Sequence, residues 1–254
     1  MTEKYITYIS NDIHFNDIGT ELFKLAISLS LAFNLKKQFA LINNSYTDII
    51  NTFIKFLKFK IITQDDFNSL NFKEYIINNF NNNDNILITF NDNENFSYKF
   101  ISQEVRNILS ILIVQNHIFS TNIHNKLNYI MNYFNEYNIN NFVAINIKKN
   151  IFVPFYYEKS YYKHFFNKKL IVFCDDIEWI QLNLNFISKN NLIFFEINND
   201  NKFFNFILLS HFTNLIIDKN NYSWWAAFLG NKNKTVITPN NNYDYYPDFW
   251  IKQF

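Results

Sequence analysis

From residue 142 onward, short runs of β-branched and aromatic residues alternate with helix-forming stretches, and this alternation restricts the fold more than any other feature. Residues 142–147, 169–174, 192–195, 215–217 and 235–238 read as strands. Between them, 161–166, 177–184, 203–213 and 222–229 read as helices, the last closed by Gly230. A strand that rejoins its sheet through a helix runs parallel to its neighbour. The pattern therefore predicts an α/β fold, a parallel sheet flanked by helices, with ligands beyond the carboxyl ends of the strands.

The first half opens the same way. Residues 5–9 form a strand, 11–19 an Asn- and Asp-rich turn, 20–35 a helix and 39–42 the next strand. Thr20 is the expected N-cap, and the helix is apolar on most sides, which predicts burial. Further helices are expected over 46–59, 72–80, 103–115 and 124–137, with an asparagine-rich loop at 81–85 and a strand at 86–90. Residues 138–141 read as a linker, dividing the chain into halves 1–140 and 141–254.

Composition excludes several function classes. A 254-residue chain that is 48% hydrophobic and 20% aromatic can bury a substantial core and is not a disordered one. Its net charge of +1 and scattered lysines provide no basic stripe for nucleic acid. The single cysteine, Cys174, excludes an internal disulfide and fits a reducing compartment. No basic-then-apolar leader is evident, and the apolar stretch 22–35 is broken by Lys24, Ser28, Ser30 and Asn34, so a cytoplasmic protein without a membrane span is expected. Asn, Ile, Lys, Phe and Tyr are abundant, Gly occurs twice, and Arg106 is the one arginine. A codon bias toward A and T accounts for this, and it turns Arg into Lys and Gly into Asn or Asp. The five histidines lack metal-ligand spacing, and no Walker loop, nucleophile elbow or Cys/His motif is present.

Four segments carry candidate chemistry. Tyr222-Ser223-Trp224-Trp225-Ala226-Ala227 follows a strand and opens a helix, whose free N–H groups and dipole suit a phosphate. The paired indoles equally suit core packing. Asp175-Asp176, in Phe173-Cys174-Asp175-Asp176-Ile177-Glu178-Trp179, ends a strand, where a carboxylate can accept from a nucleobase or cap the next helix. Lys148 and Lys149 follow the strand bearing Asn146; they either hold phosphate as point charges or end the strand at the surface. Gly19 to Ala26 opens the first helix, with Asn16 and Asp17 before it.

In this order these segments resemble the α-1,2-fucosyltransferases, glycosyltransferase family 11. That family has Asn-Ser-Ser/Thr-Phe-Ser-Trp-Trp-Gly-Ala, Phe-Ser-Asp-Asp-Ile-Glu-Trp, His-x-Arg-Arg-Gly-Asp and a glycine-rich start to its first helix. Here Lys219, Asn220 and Asn221 replace Asn, Ser and Ser/Thr, and Asn146 replaces the histidine. Lys148 and Lys149 replace the arginines, and Ile151 the aspartate. The resemblance implies a divergent GT-B-like fold of two Rossmann-like halves, residues 1–140 on the acceptor side and 141–254 on the donor side. It implies transfer of fucose or a related sugar from GDP-fucose or another nucleotide sugar to a glycan hydroxyl with inversion, without cofactor or metal. A cleft between the halves would hold the donor. The donor-binding candidates are Gly19, Asn146, Lys148, Lys149, Asp175, Asp176, Asn220, Asn221, Ser223 and Trp224. Glu21, Asp17 and Asp176 are alternative general bases. The substitutions equally suit a catalytically degenerate relative that acts as a binding or scaffold module.

Overall fold

The computed structural model describes residues 4–8, 18–42, 60–75, 84–88, 90, 97–114, 117–149, 167–183, 189–198, 201–218, 220–230, 233–239 and 246–253. The expected helices at 46–59 and 161–166, and Asp17, lie outside these residues. The chain divides into two units, Met1–Ile108 and Leu109–Phe254.

The first unit contains β1 (Tyr5–Tyr8), α1 (Ile18–Asn34), β2 (Gln38–Ile42), β3 (Lys60–Ile62), α2 (Gln64–Ser69), β4 (Phe72–Tyr75) and β5 (Asn85–Ile88). Its five-stranded sheet has the order β3-β2-β1-β5-β4, and every pairing is parallel. α1 begins at Ile18, so Thr20 lies inside its first turn and is not the N-cap. Burial of nearly the whole helix, including Lys24 beside Glu21, agrees with its all-round apolar surface.

Residues 72–75 correct the expected helix at 72–80, of which 76–80 lie outside the described residues. The helix comes earlier. Thr63 accepts from the Asp66 backbone N–H, and Asp66 accepts from that of Thr63, a capping box that starts α2 at Gln64. Asn71, with φ of 46°, then turns the chain into β4. Phe72 stacks on Phe67 at 4.8 Å, and the strand pairs along β5.

The second unit contains α4 (His117–Phe134), β6 (Phe142–Ile147), β7 (Lys169–Cys174), α5 (Ile177–Asn183), β8 (Leu192–Glu196), α6 (Lys202–Ser210), β9 (Asn214–Ile216), α7 (Asn221–Phe228), β10 (Thr235–Pro239) and β11 (Ile251–Gln253). The remaining helix, α3 (Gln103–Val114), contains the division between the units. Helix α4 packs on α6, and residues 138–141, read as a linker, form a turn leading straight into β6. Asn140 in that turn accepts from Thr213 and Asn214.

The second sheet is six-stranded and parallel, with the order β11-β10-β9-β6-β7-β8. Central strands β6 and β7 are buried along nearly their whole length, as parallel strands covered on both faces must be. Val143, Ile145 and Ile147 face one way and pack with Leu170, Val172 and Ile180. Asn146 is the buried polar exception on the opposite face. From β6 the chain winds outward through β7 and β8, then returns to β9 on the other side of β6. The reversal makes β6/β9 the topological switch point, where open parallel sheets present a crevice at their carboxyl ends.

Beyond α7 the chain turns at Gly230, whose φ is +82°. A Cβ there would stand 2.7 Å from the Ser210 carbonyl oxygen. The ammonium of Lys234 donates to Ser210 O at 2.6 Å and Ala226 O at 2.8 Å, satisfying carbonyls at the ends of α6 and α7. Gly230→Ala is therefore expected to cost about 2 kcal/mol through left-handed strain and crowding. Chemical denaturation checks this; a loss under about 0.5 kcal/mol would show that the turn relaxes freely.

Candidate active site

Three segments meet at the carboxyl edge of the second sheet. β6 ends with Asn146 and Ile147 and is followed by Lys148; β7 ends with Cys174 and is followed by Asp175; Asp218 lies two residues beyond the end of β9. Helix α7 starts just after β9, with Asn220 as its N-cap. Asn220 Oδ1 accepts from the Ser223 backbone N–H at 2.7 Å, satisfying one of the free donors of the helix start.

A buried polar cluster spans the switch point. Asn146 Nδ2 donates to Ser223 Oγ at 2.9 Å, and Ser223 Oγ donates to Asp218 Oδ1 at 2.6 Å. Asn220 Nδ2 also donates to Asp218 Oδ1. Burial pushes the Asp218 carboxyl up to about 6, against the lowering effects of Ser223, Asn220 and the charge on Lys148. Beside the cluster lies a hollow of about 30 Å3 lined by Asn146, Lys148, Asp175, Ile197, Lys202 and Tyr222. The Tyr222 hydroxyl donates to the Lys202 carbonyl at 2.9 Å, joining the starts of α6 and α7. Lys148 and Lys202 line this hollow together with the Asp175 carboxylate, and its open surface is almost wholly apolar.

The structure gathers Asn146, Lys148, Asp175, Asn220 and Ser223 into one site within the second unit. Asn221 follows in the first helical turn. Lys149 is directed to the carboxylates: its backbone N–H donates to Asp175 Oδ1 at 3.0 Å, and its ammonium to Asp176 Oδ2 at 2.7 Å. Asp176 also accepts from the Trp179 backbone N–H at 2.8 Å, so it caps α5. Lys149 and that cap lower the Asp176 pKa. Trp224 has no exposed surface and stacks on Phe228 at 4.5 Å, inside a cluster with Trp225 and Trp250; it faces the core. Gly19 and Glu21 belong to the first unit, buried in α1, where Glu21 pairs with Lys24 at 3.4 Å.

Asp218, Lys202 and Tyr222 were not singled out as site residues. Asp218 had a legible signal, a lone carboxylate directly after an apolar strand, the same pattern that marks Asp175. Cys174 is buried, and its thiol is pushed up to about 12 by burial, so it is no nucleophile. Among the described residues no three His, Cys, Asp or Glu side chains converge as metal ligands, and no helix is long and apolar enough to cross a membrane.

Parallel sheets in both units have the architecture of the GT-B fold class. The crystal structure of the fucosyltransferase NodZ from Bradyrhizobium superposes with a TM-score of 0.53 at 10% identity, covering 89% of this chain and 92% of that one. ADP-heptose LPS heptosyltransferase II from E. coli gives 0.49 at 10% identity, covering 98% and 89%. More particularly, residues 165–249, about a third of the chain, match the sequence model of glycosyl transferase family 11. No curated protein matches the sequence significantly.

Proposed function

We propose that the chain transfers a sugar, fucose or a related one, from a nucleotide sugar such as GDP-fucose to a glycan hydroxyl with inversion. The observation that carries this reading is the polar cluster at the β6/β9 switch point and the small hollow beside it, with Lys148 and Lys202 on its lining, next to the segment of family 11 type. A departing diphosphate needs positive charge in a partly dehydrated place. Lys148 supplies it, with Lys202 on the same wall. Lys149 serves to hold the β7–α5 corner through Asp175 and Asp176. No cofactor enters this scheme.

The expected result is a rise in melting temperature of roughly 5–10 °C with GDP, UDP or a sugar nucleotide at a hundred times its Kd. Lys148→Ala should weaken that binding about 10-fold or more, by loss of a charge-assisted contact. Lys149→Ala should change it less than about threefold, because its half-exposed side chain is engaged by the Asp176 carboxylate. Equal losses in the two variants would remove the distinction. No melting shift with any nucleotide would defeat the reading.

One observation favours a second reading, a nucleotide-binding relative without transferase chemistry. Of the three candidate bases, Glu21 is buried against Lys24, and both oxygens of Asp176 are engaged. Nucleotide binding without sugar release or transfer across an acceptor panel would select it.

A further inference from the structure

The proton balance of the buried cluster determines which of its atoms are left without a partner. Ser223 has one hydroxyl proton and two acceptors within reach, the Asp218 carboxylate at 2.6 Å and Asn220 Oδ1 at 2.9 Å; the shorter, charge-assisted contact to Asp218 takes it. Having donated there, Ser223 Oγ can only accept from Asn146, 2.9 Å away, so Asn146 must present Nδ2 to it. Asn220 is oriented in the same way, because its Oδ1 takes the Ser223 backbone N–H. Two atoms are left over, Asn146 Oδ1 and Asp218 Oδ2, each buried and without a hydrogen-bond partner among the described residues. Their residues are only 1% and 3% exposed.

Both leftover atoms are acceptors. Asn146 lines the hollow of about 30 Å3, room for one water or one ligand hydroxyl. A phosphate oxygen brought there would meet a second acceptor and, beyond it, a buried carboxylate. An alcohol would instead donate and satisfy an orphaned oxygen, displacing water at little cost. Resting on the nucleotide-sugar reading above, we infer that Asn146 Oδ1, held in place through Ser223 by Asp218, accepts from a hydroxyl group of the sugar nucleotide at that hollow, leaving its phosphates to Lys148. That hydroxyl belongs either to the ribose or to the transferred sugar.

Titration calorimetry with pyrophosphate, GDP and UDP, their 2′,3′-dideoxy forms and their sugars separates the sources. If the ribose is bound, the wild type prefers the ribonucleotide to its dideoxy form by about 10-fold or more; if the sugar is bound, it prefers the sugar nucleotide to the bare diphosphate by a similar factor. In either case Asp218→Asn should shrink that preference to about threefold or less, while pyrophosphate binding does not fall. The wild-type ligand series stands even if the variant folds poorly. Absence of both preferences overturns the inference, as does an Asp218→Asn variant that keeps the preference or gains about 10-fold for every diphosphate. Failure of pyrophosphate and all nucleotides to bind defeats the glycosyltransferase reading with it; nucleotide binding without a hydroxyl preference defeats this inference alone.

Discussion

Replacing Trp224 by alanine is expected to lower the stability of the protein by about 3–5 kcal/mol, the range for deleting a fully buried large aromatic. The indole has no exposed surface. It packs against Phe228 at 4.5 Å, Trp225 at 5.2 Å and Trp250 at 5.6 Å, so truncation leaves a cavity bounded by rigid rings that cannot collapse into it. Trp224→Phe keeps one ring and should lose markedly less. Urea unfolding measures both. A Trp224→Ala protein of near-native stability that no longer binds nucleotide would move the indole from the core to the ligand site.

Asp218→Asn is expected to act through pH. The folded carboxyl stands at about 6, raised from its ordinary value of 3.8 by burial, so between these values the folded state holds a proton that the unfolded state has released. Its contribution to stability is fully present below the unfolded value and is lost as pH rises through about 6, a change of about 3 kcal/mol. Asparagine keeps an acceptor for Ser223 and Asn220 and carries no charge to bury. Relative to wild type, the variant should therefore gain about 2 kcal/mol between pH 4 and pH 7.5. Denaturation curves at the two pH values measure it, and taking the difference between proteins cancels the other carboxylates. Parallel stability profiles would show that Asp218 is solvated.

Much of the second unit was legible from residue order. The runs 142–147 and 169–174 coincide with β6 and β7, because central parallel strands are continuously apolar and their ends are marked by the first polar residues. Gly230 marked the end of α7 for a local reason, a backbone angle that disfavours other residues. The first unit was harder. Residues 60–75 hold two edge strands and a six-residue helix, each too short for periodicity to distinguish. There Thr63 and Asp66 were the better signal, because a capping box is a contact between near neighbours. Among the described residues the short strand β11 pairs only with β10, and it has no pattern of its own.

The site divides along the same line. The position of Lys148, Asp175 and Ser223 at the carboxyl edge of the sheet was legible because each follows a strand or lies in the first turn of a helix that opens there. Sequence alone determined the alternation of strands and helices, and with it the parallel sheet and the edge at which chemistry gathers, since these follow from local propensity and apolar period. Only the tertiary structure decided the pairings within that edge. It gave Lys149 to Asp176, turned Trp224 inward, and joined Asn146 to Asp218 through Ser223. Asn146 and Ser223 are 77 positions apart in the chain. A hydrogen bond is settled by position and direction in space, and no short-range pattern encodes a contact that exists only once β6, β9 and α7 have packed.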